Sequence, residues 1–211
     1  MERLAIIGSG DLGHQIAHLA LNGKHYLPVG FFDDFETKGQ IKHNLPILGK
    51  ISDISEEFKS KNFDVLLIAI GYNHFDERKG LFERLKNEIP FGKIIHSSNI
   101  IDDSVHIGQG SVVYAGGSFD MNVSIGENVL IYNGCNFSHD VAVKSHSIIS
   151  PGVQIAGFCE IGESVNLGIG TVLSDNIRIA SKTRTGAGAV VTKSILNSGV
   201  YVGIPAKKIQ K

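Results

Sequence analysis

From Ile101 to Val191 a large apolar residue returns at every sixth position: Ile101, Ile107, Val113, Phe119, Ile125, Ile131, Phe137, Val143, Ile149, Ile155, Ile161, Leu167, Leu173, Ile179, Thr185 and Val191. Fifteen of the sixteen are apolar, and the exception is a β-branched threonine. A second row, stepping by six from Val105 to Ala189, carries no charge and nothing larger than isoleucine. Glycine follows the core aliphatic at Gly108, Gly126 and Gly162, with Lys144 and Ala180 in the other slots of that eighteen-residue series. A period of six is neither helix nor ordinary strand. It predicts short strand segments joined by tight turns, three to a coil of eighteen residues, with about five coils between residues 101 and 192. The large aliphatics stack inside as ladders and the small row fits the corners, which makes this half a β-solenoid.

Ahead of the repeat the pattern changes to α/β. A short β run, Leu4 to Ile7, leads into Gly8-Ser9-Gly10-Asp11-Leu12-Gly13, and Leu12, Ile16, Leu19 and Leu21 give helical spacing from Asp11 to about Asn22. A strand, a Gly-x-Gly-x-x-Gly turn and a helix form the phosphate-cradling start of a Rossmann unit, because the glycines admit a pyrophosphate and the helix N-terminus supplies amides. A second β run, Tyr26 to Phe32, ends in Asp33-Asp34, where a dinucleotide enzyme carries its ribose-binding carboxylate. Then come a variable loop, the run Leu45 to Gly49, a helix near Ile54 to Lys59, a strand from Asp64 to Gly71, a helix from Phe75 to Lys86 and a strand at Gly92 to His96. About four strands make half a dinucleotide fold, and the solenoid follows with no room for a dehydrogenase's catalytic domain. The expected cofactor is therefore not NAD, and the half-unit (residues 1–98) suits one nucleotide, such as that of a nucleotide-linked sugar. Residues 99–211 form the second domain.

Composition alters little. Net charge is −1, so nothing points to nucleic acid. No apolar run approaches the ~20 residues of a membrane span, and the N-terminal run is too short for a signal peptide, so a cytoplasmic location is expected. Cys135 and Cys159 both lie in the small-residue row, twenty-four apart and in different columns, and read as small buried hydrophobes without a disulfide or metal role.

The repeat resembles the hexapeptide-repeat transferases, which implies a left-handed parallel β-helix. With the glycine-turn unit ahead of it, the whole chain resembles the sugar acyltransferases of the sialic-acid O-acetyltransferase and bacillosamine N-acetyltransferase group. The resemblance rests on Gly8 to Gly13, Asp33-Asp34, Leu48-Gly49, Ile70-Gly71, His139-Asp140, Gly157 and the tail Val202-Gly203-Ile204-Pro205-Ala206-Lys207. The chain departs from that group at Leu12, where a histidine is common, at Asp11, where glycine is usual, and at Ile148, where some members place a second histidine against the thioester.

His139 lies two places after the inward Phe137, so its side chain points out of the coil, and Asp140 beside it could hold the imidazole tautomer or be a solvated neighbour. Gly157 is one coil on and stacks over His139 at the ~4.8 Å spacing of neighbouring strands, leaving a backbone N–H exposed. Acyl transfer from a thioester needs a base, an oxyanion donor and a groove for the carrier. The resemblance assigns His139 as base and the Gly157 N–H as donor. It implies acetyl-CoA as co-substrate, with Ile148, Gly157, Ile169, Ala187 and Pro205 along its path, and a homotrimer with sites between subunits. It places a nucleotide sugar against Gly8, Gly10, Asp11, Leu12, Asp33, Asp34, Gly49 and Gly71. His146 also reads as outward, either a secondary contact or a bland surface residue, and His106 as bland.

The expected activity is N-acetylation of a nucleotide-linked 4-amino sugar for surface glycan synthesis, by direct attack and with no metal. O-acetylation of sialic acid or a related sugar is the alternative. A γ-carbonic-anhydrase-like zinc enzyme using His106, His139 and His146, and a non-catalytic nucleotide-sugar sensor, are more distant ones. Nucleotide, sugar stereochemistry, acyl length and destination glycan are not written in the sequence.

Overall fold

A computed structural model describes residues 1–209; Gln210 and Lys211, the last two residues of the expected second domain, lie outside the described residues. The chain divides into two compact units, Met1–Ile94 and Ile95–Lys211.

The first unit is a five-stranded sheet flanked by helices. Strands β1 (Arg3–Ile7), β2 (Leu27–Phe32), β3 (Ile41–Lys42), β4 (Leu45–Gly49) and β5 (Val65–Ile68) run in the order β3-β4-β2-β1-β5. All neighbours are parallel except the hairpin pair β3 and β4. That hairpin turns on His43 and Asn44, both at positive φ (51° and 64°), the backbone that a two-residue turn requires. Helices α1 (Asp11–Asn22), α2 (Ile54–Lys59) and α3 (Phe75–Leu85) cover the sheet. The stripe that α1 buries is Gly13, Ile16, Ala17 and Ala20, whereas Leu21 is 53% exposed. Small residues replace the expected leucines there because the helix lies close to the sheet. One core joins Ala5, Ile7, Phe32, Phe63, Leu66 and Phe82.

The second unit is a three-faced parallel β-helix of two-residue strands. The first face stacks Ile94–Ile95, Val112–Val113, Leu130–Ile131, Ile148–Ile149, Asn166–Leu167 and Arg184–Thr185, and is extended by Val200–Val202 and Lys207–Lys208. The second stacks Ile100–Ile101, Ser118–Phe119, Asn136–Phe137, Gln154–Ile155, Val172–Leu173 and Val190–Val191. The third stacks His106–Ile107, Ser124–Ile125, Ala142–Val143, Glu160–Ile161 and Arg178–Ile179. Up to Arg184 and Val191 the pairings join residues eighteen apart, as Ser118 with Asn136 and Ala142 with Glu160, whereas Arg184 pairs with Val200, sixteen on, and the last strand runs antiparallel. The ladder therefore begins with Ile94–Ile95, which the sequence reading assigns to the first domain.

The period-six residues fill the interior, where Phe119 and Phe137 stack at 4.7 Å between ring centroids. Thr185, the one polar member, is buried because its hydroxyl is used: it lies 2.8 Å from Thr171 Oγ1 and accepts from Gly168 N–H at 2.9 Å. Cys135 and Cys159 are free and buried. Burial pushes the Cys135 thiol up to about 11, so it stays protonated and inert at neutral pH.

Candidate active site

The expected base His139, its neighbour Asp140 and Gly157 all lie at the corner between the second and third faces. In four successive coils the same corner position adopts the left-handed conformation, at Asn122 (φ 60°), Asp140 (φ 59°), Phe158 (φ 57°) and Asn176 (φ 61°). Asn and Asp tolerate this backbone, whereas a bulky phenylalanine seldom does. The residue just before each is Met121, His139, Gly157 or Asp175, one vertical column.

His139 is about half exposed, and its Nδ1 lies 3.0 Å from Asp140 Oδ2. Asn122, one coil below, donates to Asp140 Oδ1 at 3.1 Å. The hydrogen bonds from His139 and then Asn122 hold the Asp140 carboxyl below its ordinary range, so it is an anion at neutral pH. An anionic acceptor at Nδ1 selects the Nδ1–H tautomer and leaves the lone pair on Nε2. That nitrogen faces Gly157. A Cβ on Gly157 would lie 2.8 Å from His139 Cε1 and 3.0 Å from Nε2, so only glycine admits the ring in this place. Phe158 closes the other side, edge-on at 4.9 Å and 82°.

The Gly157 amide itself is occupied. It donates to Asp175 Oδ1, one coil above, at 3.1 Å, where the sequence reading expects an exposed N–H. Phe158, Asn122 and Asp175 are absent from that reading, although steps of eighteen from Asp140 and Gly157 lead to all three.

Two other expectations change. His146 is buried, 1% exposed, and does not point outward. Its backbone is left-handed (φ 65°), which turns the imidazole along the corner onto Asn128 one coil below, Nδ1 to Nδ2 3.0 Å. Ile148 is buried as well, at 1% exposure, so its side chain does not line an open surface in this chain. Nor do His106, His139 and His146 converge. They occupy the outer side of a third-face strand and two different corners.

Ile169 and Ala187 lie on the corner between the first and second faces, not the corner that holds His139. The tail joins them there: Ala206 N–H donates to Val190 O at 2.8 Å and Val190 N–H to Gly203 O at 3.0 Å, which pins the turn holding the exposed Pro205. Within one chain His139 and the expected carrier groove are separated by the width of the second face.

In the first unit the glycine turn is built as its spacing implies. Gly8 has φ 97°, and a Cβ there would meet Ala69 O at 2.8 Å; a Cβ on Gly13 would run into Gly8 O. Gly10, the N-cap of α1, has open space around it, and no side chain caps the helix. Uncapped first-turn amides suit an anion. Asp11 and Leu12 lie in that first turn. Asp33 points back into the turn: Ser9 donates to its Oδ2 through Oγ–H (2.6 Å) and N–H (2.9 Å), and Phe35 N–H donates to Oδ1 (3.0 Å). Burial works against its ionisation, but these donors outweigh it and hold the carboxyl below its usual range. Asp34 accepts from Ile51 N–H at 2.9 Å. Gly49 meets a local need, since a Cβ there would lie 2.5 Å from Asp53 Oδ2, whereas Gly71 is in open space. Beside this edge a cavity of about 750 Å³ is lined by Asp34, Phe35, Ile51, Ile70, Leu81 and Arg84 among others. Phe35, at 97% exposure, is a further residue the sequence reading does not single out.

Residues 3–85 match the family model described as the PglD N-terminal domain. The whole chain is similar to the acetyltransferase domain of PglB from Neisseria gonorrhoeae, with 28% identity, a TM-score of 0.89 and coverage of 99% of this chain and 100% of that one. The chain thus has the architecture of that acetyltransferase domain along its whole length. A mutant of perosamine N-acetyltransferase from Caulobacter crescentus, in complex with CoA and GDP-perosamine, shares the fold at 24% identity and a TM-score of 0.90, covering 100% and 98% of the two chains. WeeI from Acinetobacter baumannii does so at 24% identity and a TM-score of 0.84, covering 99% and 100%. These relatives give the solenoid its hand, a left-handed parallel β-helix. Among the described residues no helix is long and apolar enough to cross a membrane.

Proposed function

We propose that this chain transfers the acetyl group of acetyl-CoA to the amino group of a nucleotide-linked amino sugar. The observation that carries the reading is His139, held by anionic Asp140 at Nδ1 so that Nε2 faces the side-chain-free surface of Gly157. The PglB acetyltransferase domain has been seen with acetyl coenzyme A, and the Caulobacter enzyme with CoA and GDP-perosamine together.

In the proposed reaction the acceptor nitrogen attacks the thioester carbonyl carbon while His139 Nε2 takes its proton. The tetrahedral intermediate collapses by breaking the C–S bond, and CoA leaves as the thiol after accepting a proton. Asp140 keeps the imidazole in its tautomer and steadies the imidazolium. Such a base contributes roughly 10²–10⁴ in rate. In the first unit, the glycine turn and the uncapped α1 terminus receive the diphosphate, and the cavity rimmed by Phe35 receives the nucleobase. The chain acts as a homotrimer in this reading, because the base and the Ile169–Ala187–Pro205 corner belong to different edges of one solenoid and a neighbouring copy can bring them together.

The test is thiol release from acetyl-CoA with a panel of UDP-, dTDP- and GDP-linked 4-amino sugars and free sialic acid. Turnover with one nucleotide amino sugar, falling by about 10²–10⁴ in His139→Ala, is the expected result. Release with sialic acid alone would move the acceptor from nitrogen to oxygen, and silence across the panel would end the reading.

A further inference from the structure

The hydrogen bond between Gly157 and Asp175 has a cost for the reaction proposed above, on which this inference rests. An amide that steadies a developing oxyanion has to be free when the thioester carbonyl arrives. Here it already donates to a carboxylate oxygen, at 3.1 Å. Charge-assisted hydrogen bonds of this kind are stronger than neutral ones. An aspartate left beside the amide would also repel the negative charge that forms on the carbonyl oxygen. The same charge reaches inward: after burial, it contributes to the raised pKa of the Cys159 thiol.

Other corners use side chains from the next coil as caps, but different ones. Glu127 N–H and Glu163 N–H donate to the hydroxyls of Ser145 and Ser181, each eighteen residues on, at 3.0 Å. A neutral serine satisfies a corner amide there. At the corner that carries His139 a carboxylate, Asp175, performs this task on the residue facing the imidazole. Asp175 is exposed, so it can turn into solvent without leaving a buried group behind.

We propose that Asp175 is a positioning residue that occupies the oxyanion donor until the acyl carrier displaces it, and so sets the affinity for the acetylated carrier. Free CoA has no thioester carbonyl to compete for the amide. The two forms of the carrier are therefore discriminated by this contact, against acetyl-CoA and in favour of product.

Calorimetric titration of the intact protein with acetyl-CoA and, separately, with CoA tests the idea in wild type, Asp175→Ala and Asp175→Ser. Asp175→Ala should bind acetyl-CoA about fivefold more tightly, the size of one hydrogen bond no longer displaced, with its affinity for CoA unchanged. Asp175→Ser, which copies the neutral cap of the sister corners, should fall between. In turnover the gain should appear in KM for acetyl-CoA and not in KM for the sugar. Equal shifts for both carriers would mean that only the long-range charge matters, and would overturn the proposal. So would a lowered Tm with no change in either affinity, the signature of a plain corner cap. If wild type and variants alike bind neither carrier, the transferase reading itself fails and this inference falls with it.

Discussion

Gly157 has no side chain because His139 occupies the place where one would go. Gly157→Ala would put a methyl group 2.8 Å from Cε1 and 3.0 Å from Nε2 of the ring. The imidazole must swing outward, away from Asp140 and from the amide. The expected outcome is a loss of at least about 10² in kcat with the Tm within a few degrees of wild type, since the exposed ring can move without opening the core. Activity and a thermal melt on the same preparation check it. The residues around His139 also show how far the sequence could be read. Steps of six placed the core ladder, and a step of eighteen paired His139 with Gly157. His146 escaped the same arithmetic. Inward-outward alternation holds along a strand but not at a corner, where a left-handed residue redirects its side chain along the coil axis. Nothing in the spacing showed that Asp175 would reach back to the Gly157 amide, because that depends on a side-chain rotamer.

Elements of the first unit were legible from their ends. The α1 and α2 boundaries and the glycine turn follow from the sequence, because glycines and periodicity are local signals. Arg78 is what the pattern could not reveal. It sits on α3 at 1% exposure and donates from Nη1 to Ile68 O (3.0 Å), the last residue of β5, and to Ile70 O (3.2 Å), just beyond it. A charged residue in a polar-looking helix reads as surface, yet this one anchors the strand end that leads to Gly71. Arg78→Ala removes a buried donor from two carbonyls and leaves a void, which should lower stability by roughly 2–4 kcal/mol. Urea unfolding followed by circular dichroism measures the loss. Arg78→Met restores the stem's packing but not the hydrogen bonds, and should recover only part of it.

At the scale of the whole molecule, the separation of His139 from the corner of Ile169, Ala187 and Pro205 makes the proposed trimer functional. Subunits carrying His139→Ala keep an intact groove corner, and subunits carrying Ala187→Arg keep an intact base. Each variant alone should be inactive. Refolded together they should regain up to roughly a quarter of wild-type activity, because random mixing restores about that share of sites. No recovery would mean that a single chain holds the complete site.

His139, Gly157 and Asp175 are successive members of one column, each a full coil from the next. The site is thus spelled in the chain with fixed gaps, and length is its grammar. Adding or losing a single residue between them would move one member out of the column, however mild the change in composition. A whole coil of eighteen added or lost elsewhere in the stack would leave the three aligned. Related chains should therefore differ in length within this half in whole coils, and in loose single residues only outside the column.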